Sequence, residues 1–233
     1  MPKVLCVIPA RGGSKGIPRK NLRPMAGKPL IYYSIRACLQ SERTDHVVVS
    51  TDDEEIALFA GRFGAQVLMR PQELADDIQT LDPVIRHALE QCEADRSTSY
   101  EIVLTVQPTS PLLGAADIDK GLAMFDDSAL DTVLSVVDDR HLCWTMEGGA
   151  PVPEYEARVN RQFLPPRFRE TGAIIACRRD VLIRTGSRIG SNVGLLETEQ
   201  EKSFDIDTVS DFKLCENLLL RRNIVFNVIG NNS

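Results

Sequence analysis

The stretch 9–21, read PARGGSKGIPRKN, interleaves three glycines with four cations directly after a short apolar run. Gly12, Gly13 and Gly16 let the main chain approach a ligand closely enough for its N–H groups to meet phosphate oxygens, and Ser14 adds a hydroxyl donor. Arg11, Lys15, Arg19 and Lys20 concentrate positive charge in a chain whose formal net charge is −6. Such a density of guanidinium and ammonium groups suits a triphosphate. The plainer alternative, a solvated basic surface loop, leaves the interleaving of glycine and cation after a buried run without a reason. The spacing is neither G-x-x-x-x-G-K-[ST] nor G-x-G-x-x-G, which disfavours a P-loop kinase and a Rossmann dehydrogenase. Near the other end, Asp205 and Asp207 stand two residues apart. On an extended segment both carboxylates then share one face, where they suit a hard divalent ion that also takes phosphate oxygens. The alternative is that Asp207 caps a helix starting near Val209.

The elements that must position these groups alternate. Residues 3–8 form a β-branched apolar run that predicts a buried strand ending at the glycine-rich loop. Helical spacing follows over 29–40, then a strand at 46–50, and a helix opened by Asp52, Asp53, Glu54 and Glu55, whose charge suits its positive end. Further strands are expected at 65–69, 101–106 and 132–137, with helices at 83–92 and 117–125. This alternation implies a three-layer α/β/α fold around a mostly parallel, Rossmann-like sheet. After Val137 the rhythm breaks: residues 138–169 are rich in Pro, Gly and charge, too long a stretch to lie structureless in a compact domain. We expect an excursion there, a hairpin with an arm that packs against a second subunit. The rhythm resumes at 172–177 and closes with a helix over 209–221. Residues 223–230 read as one more strand, either an edge strand or the opening of a further domain. The domain is placed at 1–222, with 138–169 as its excursion and 223–233 as a tail.

The totals exclude several classes. At 233 residues, 43% hydrophobic and 26% charged, the chain has the profile of a large globular domain. Its acidic balance disfavours a nucleic-acid binder. No apolar run is long enough to span a membrane and the N-terminus lacks a signal-peptide pattern, which points to the cytoplasm. Six cysteines without C-x-x-C spacing suit reduced, buried side chains rather than a disulfide or zinc framework.

With the loop, five further segments complete a pattern that resembles the acylneuraminate cytidylyltransferase family (CMP-sialic acid synthetases). These are Ser50-Thr51-Asp52; Arg70-Pro71 with Leu74-Ala75 and Asp77; Gln107-Pro108-Thr109-Ser110-Pro111; Arg161-Gln162 with Leu164-Pro165 and then Gly172-Ala173-Ile174; and Asp205-Ile206-Asp207-Thr208. The resemblance implies a nucleotidyltransferase that joins CMP from CTP to a nine-carbon 2-keto-3-deoxy sugar acid. It implies Mg²⁺, with Mn²⁺ as an alternative, held by Asp205 and Asp207, and a homodimer. Ala10 through Lys15, Lys20 and Asn21 would hold the triphosphate or shape its loop, and Arg70 would approach the cytosine or ribose. Gln107, Thr109 and Ser110 would face the sugar, although Thr109-Ser110 alone reads as a helix-initiating turn. Arg161, Gln162, Arg169 and Thr171 would complete the sugar side, the arginines pairing with its carboxylate. Arg11, Lys15, Lys20 and Asp207 would act in the reaction itself, Asp207 as general base. The chain departs from the family at Thr171-Gly172, where Asn-Gly is usual, and at Cys143, where a basic residue is common. Thr offers one hydroxyl for an amide's donor and acceptor, so a deaminated, legionaminic-like or pseudaminic-like acid becomes as suitable as N-acetylneuraminate. The eight-carbon acid Kdo and a non-catalytic nucleotide-sugar-binding module are the competing readings.

Overall fold

In the computed structural model, which describes residues 1–75, 80–126 and 129–230 (main chain alone over 223–230), β1 (Val4–Pro9) leads through the glycine-rich loop into a short ribbon, β2 (Pro24–Met25) and β3 (Lys28–Pro29). There follow α1 (Leu30–Gln40), β4 (His46–Thr51), α2 (Glu54–Arg62), β5 (Gln66–Met69), α3 (Asp82–Arg96) and β6 (Ile102–Val106). The second half holds α4 (Ala115–Ala123), β7 (Thr132–Asp138), a hairpin of β8 (Trp144–Glu147) and β9 (Ala150–Pro153), β10 (Phe168–Arg178), α5 (Arg179–Thr185), β11 (Val193–Glu197) and α6 (Val209–Gly230). Seven strands form one sheet in the order β11-β7-β10-β6-β1-β4-β5. All its pairings are parallel except those of β10, which runs against both β6 and β7.

β1 shows why the layers form. Val4, Cys6 and Ile8 face one side, with Ile35 and Cys38 of α1, Ile56 of α2 and Ile118 and Leu122 of α4. Leu5 and Val7 face the other, with Ile85 and Leu89 of α3 and Leu182 of α5. An uninterrupted apolar strand thus needs a helical layer on each face, and each large side chain so buried contributes roughly 1.5–3 kcal/mol. Asp53 starts α2 as its N-cap, accepting from the N–H groups of Glu55 and Ile56 at 2.9 Å each.

The expected three-layer α/β/α arrangement is present, and the excursion at 138–169 contains the β8–β9 hairpin and a 3-10 turn at Arg161–Phe163. The strand expected at 223–230 is corrected: those residues continue α6. Ile224 and Val228, like Val225 and Ile229, are also four apart. With no Pro or Gly between Arg222 and Gly230, extending a helix already begun costs less than starting another element. α5 and β11 went unforeseen because both are short and flanked by polar residues. Among the described residues no helix is long and apolar enough to cross a membrane.

Candidate active site

The chain runs from β1 outward to β4 and β5, then returns to β6 on the other flank of β1. In open α/β sheets, ligands bind beyond the carboxyl ends of the strands at such a reversal. A cavity of about 410 Å³ opens there. Arg11, Ser14, Lys15, Lys20 and Asn21 reach it from the loop after β1, and Arg70 from the end of β5. Gln107 and Thr109 come from the end of β6, and Asp205 and Asp207 from the segment before α6. Residues singled out at both ends of the sequence therefore meet in one place.

The loop is held by contacts that its composition did not reveal. The Gly12 N–H donates to Asp52 Oδ1 at 3.1 Å, and a Cβ on Gly12 would lie 2.6 Å from Asp53 Oδ2. Gly16 lies so close to Asp207 that a Cβ would collide with its carbonyl oxygen. These two glycines serve close packing between segments. Gly13 is exposed, a Cβ there would meet nothing within 4 Å, and it does not line the cavity. Ala10 is buried and its N–H is bound to Ser50 O at 2.9 Å, a main-chain strut. Asn21 is buried with its amide donating to Arg11 O at 3.0 Å, which clips the loop into an arc. Ile17 anchors that arc in a small core with Met25, Leu30, Ile206 and Phe212.

The same small core sets the acidic pair. Ile206 is fully buried between Asp205 and Asp207, and its N–H donates to Thr109 O at 3.2 Å. The segment belongs to no helix or strand; both carboxylates line the cavity while Ile206 between them points into the core. The capping alternative for Asp207 is resolved by its neighbours. Thr208 caps α6, with the Asp211 N–H donating to Thr208 Oγ1 at 3.2 Å and the Thr208 N–H donating to Asp211 Oδ2 at 2.7 Å, a reciprocal capping box. The Asp207 side chain stays 76% exposed, 3.4 Å from Lys20 Nζ. Lys20 also donates to Ile206 O, so it joins the cationic loop to the acidic segment. Asp205 opens on the cavity yet is flanked closely by protein. Lost hydration, with Asp207 adding repulsion, holds its carboxyl above the usual range against a hydrogen bond from Thr109 and the charge of Lys20. Two carboxylates so placed could hold a divalent cation jointly with phosphate oxygens, since hard ions of the Mg²⁺ type take one or two such ligands and keep the rest for substrate and water.

A stability consequence follows from the direction of that shift. A fold that raises a carboxyl pKa loses stability as pH rises from the unfolded chain's value through the folded one, and at neutral pH the whole loss is present. Asp205→Asn should therefore melt at a higher temperature than wild type at pH 7. The difference should shrink as pH falls from the folded carboxyl's raised value toward the ordinary 3.8, and be gone below it. Calorimetry at pH 7 and pH 4 checks this; an unchanged or lower melting temperature at pH 7 contradicts it.

Arg70 is 7% exposed, and burial lowers its guanidinium pKa although Asp52 pulls the other way. Its Nη2 lies 3.4 Å from Asp52 Oδ1, and among the described residues its Nε has no hydrogen-bond partner. Asp52 thus receives both the Gly12 N–H and Arg70 on one oxygen, which ties the ends of β1, β4 and β5 together. Sequence reasoning quoted Asp52 within a motif without giving it this role.

On the other side of the cavity the expected residues divide. Gln107 lines it, and Thr109 does so with its hydroxyl bonded to Asp205. Gly114 with Asp117 starts α4, so Thr109 and Ser110 form a turn and not a helix cap. Ser110 is buried outside the cavity, its N–H on Gln107 O at 3.3 Å. Thr171 is also buried, its hydroxyl 2.6 Å from Ser135 Oγ. Arg161 and Gln162 stand exposed on the excursion, Arg161 at 3.8 Å from Asp138, and Arg169 pairs with Asp139 at 3.6 Å. None of these three lines this chain's cavity. Asp77 lies outside the described residues.

Residues 5–226 match the family model described as cytidylyltransferase. The chain belongs to the cytidylyltransferase family. Among curated proteins, this cytidylyltransferase is 33% identical over 230 residues to CMP-N,N'-diacetyllegionaminic acid synthase of Campylobacter jejuni, covering 96% of this chain and 98% of that one. It is 32% identical to post-translational flagellin modification protein B of Campylobacter coli, with the same coverage. To N-acylneuraminate cytidylyltransferase of Escherichia coli it is 30% identical, over 95% of this chain and 53% of that protein. Among solved structures, a CMP:2-keto-3-deoxy-manno-octonic acid synthetase complexed with CTP superposes with a TM-score of 0.71 at 20% identity, over 94% of this chain and 99% of that one. At that identity the likeness establishes the cytidylyltransferase's fold alone.

Proposed function

We propose that the protein transfers CMP from CTP to a nine-carbon 2-keto-3-deoxy sugar acid. The observation that carries this reading is one cavity in which the cationic loop faces the Asp205–Asp207 pair, with Gln107 beside them. Arg11, Lys15 and Lys20 bind the triphosphate and steady the departing pyrophosphate, and Arg70 turns its buried guanidinium to the ribose or cytosine. The acceptor's anomeric hydroxyl attacks the α-phosphorus: an oxygen–phosphorus bond forms, the bond to the β-phosphate oxygen breaks, and pyrophosphate leaves. Asp207, exposed to the cavity, takes up the hydroxyl's proton. Asp205 and Asp207 suit Mg²⁺, or Mn²⁺, which when bound neutralises phosphate charge. The remaining rate comes from positioning and fixed charge.

The reading extends to a homodimer in the cytoplasm. Trp144, Met146, Phe163 and Phe168 are each exposed on the excursion, and a second copy packed against it would let the excursion carry Arg161 toward a neighbouring cavity. Five of the six cysteines are buried, as suits a reducing compartment. Sedimentation at micromolar concentration should give a dimer; a monomer contradicts this arrangement.

The substrate class is supported by the near full-length match to the legionaminic acid synthase. It is tested by steady-state kinetics with CTP and Mg²⁺ across N-acetylneuraminate, its deaminated analogue, N,N'-diacetyllegionaminate, a pseudaminate and Kdo. A nine-carbon acid should give the highest kcat/KM. Preference for Kdo would move the protein to the eight-carbon class, and turnover with no acid would leave a binding module.

A further inference from the structure

β10 passes the cavity with a break in its pairing. Glu170 pairs with Val136 and Ile175 with Leu134, so the four residues 171–174 face Ser135 alone. A bulge of this kind leaves main-chain groups without ladder partners inside the sheet, and such groups need substitutes. Two buried hydroxyls supply them. Ser135 Oγ accepts from the Ile174 N–H at 2.9 Å and lies 3.2 Å from Ile174 O, and Thr171 Oγ1 lies 3.4 Å from the Ala173 N–H donor. The two hydroxyl oxygens are 2.6 Å apart. With the Thr171 hydroxyl donating to Ser135 Oγ and the Ser135 hydroxyl donating to Ile174 O, each hydroxyl proton is used once.

The bulge meets the site at Gln107. Gly172 adopts φ 70°, and a Cβ there would lie 3.2 Å from Gln107 Nε2. The Gln107 N–H donates to Ala173 O at 3.2 Å. Main chain and side chain of Gln107 both rest on the bulge, while its amide lines the cavity.

We propose that Ser135 and Thr171 are positioning residues for the acceptor sugar: the hydroxyl pair sets the bulge, and the bulge aims the Gln107 amide. Thr171 thereby governs acceptor binding without touching the sugar. This rests on the reading of Gln107 as an acceptor contact.

The test measures KM for acceptor and for CTP separately in Thr171→Val, Thr171→Ser, Ser135→Ala and Gln107→Ala, with N-acetylneuraminate and N,N'-diacetyllegionaminate in turn as acceptor. Thr171→Val should raise the acceptor KM about tenfold, the scale of one misplaced hydrogen bond, with the CTP KM within about twofold of wild type. Thr171→Ser, which keeps the hydroxyl, should restore it. If Thr171→Val does not fold, Ser135→Ala carries the same expectation. A normal acceptor KM in Gln107→Ala overturns the reading of Gln107 and this proposal with it. A raised acceptor KM in Gln107→Ala, beside acceptor KM values in Thr171→Val and Ser135→Ala that are unchanged or rise only in step with the CTP KM, overturns the proposal alone.

Discussion

Asp207→Ala is expected to lower kcat by about 10³-fold while the protein melts within about 2 °C of wild type. The loss is the scale seen when a group that meets developing charge is removed. Fold and function separate here because helix capping falls to its neighbours. Thr208 and Asp211 satisfy the start of α6 between themselves, and the Asp207 side chain is largely in solvent with Lys20 as its ion-pair partner. An exposed pair of that kind contributes about 0–1 kcal/mol to stability. Asp207→Asn should be nearly as inactive, since it keeps the shape and loses the charge. Single-turnover kinetics beside calorimetry checks both numbers. Near-normal turnover would remove Asp207 from the reaction, and a large fall in melting temperature would make its role structural.

Arg70→Ala is expected to cost about 10²-fold in kcat/KM for CTP, most of it in KM. The guanidinium is buried with Asp52 as a hydrogen-bond partner, and among the described residues its Nε has none. A buried donor left without a partner is costly, which is the condition of a group placed to meet a ligand. Two charge-assisted hydrogen bonds at about 1.5–3 kcal/mol each would account for a loss of that size or larger. Arg70→Lys should recover little, because an ammonium cannot reproduce the planar fork that Asp52 and a ribose or base oxygen would share. Isothermal titration with CTP distinguishes this from a catalytic defect: affinity should fall in step with KM. Unaltered CTP binding in Arg70→Ala would place Arg70 outside the nucleotide site.

The parts of this molecule that were legible in sequence are those set by local pattern. An apolar run ending in glycines and cations identified both β1 and the loop that follows it, since a strand buried on both faces admits few polar residues. The pair Asp205 and Asp207 was legible from its spacing, and Ile206 between the two carboxylates points into the core. What escaped depends on contacts across the fold. Gly12 and Gly16 were read as room for phosphate, yet each packs against a segment that is distant in sequence. Thr171 was read as a sugar contact because of its place in a motif. Its hydroxyl belongs to Ser135 across a bulge that only strand register exposes. Asp52 lay within a quoted motif, but its two donors come from the ends of other strands. The tail at 223–230 was misread because four-residue apolar spacing and a strand-like run coincide there, and the helix already under way decides between them.

The most direct measurement is phosphorus NMR of a reaction holding the protein, CTP, Mg²⁺ and N,N'-diacetyllegionaminate or N-acetylneuraminate. The expected result is loss of the three CTP resonances with stoichiometric appearance of pyrophosphate and one phosphodiester signal from a CMP–sugar bond, and no change when the acid is omitted. Pyrophosphate released without the acid, or CTP left intact in the presence of every nine-carbon acid, would contradict the proposed transfer.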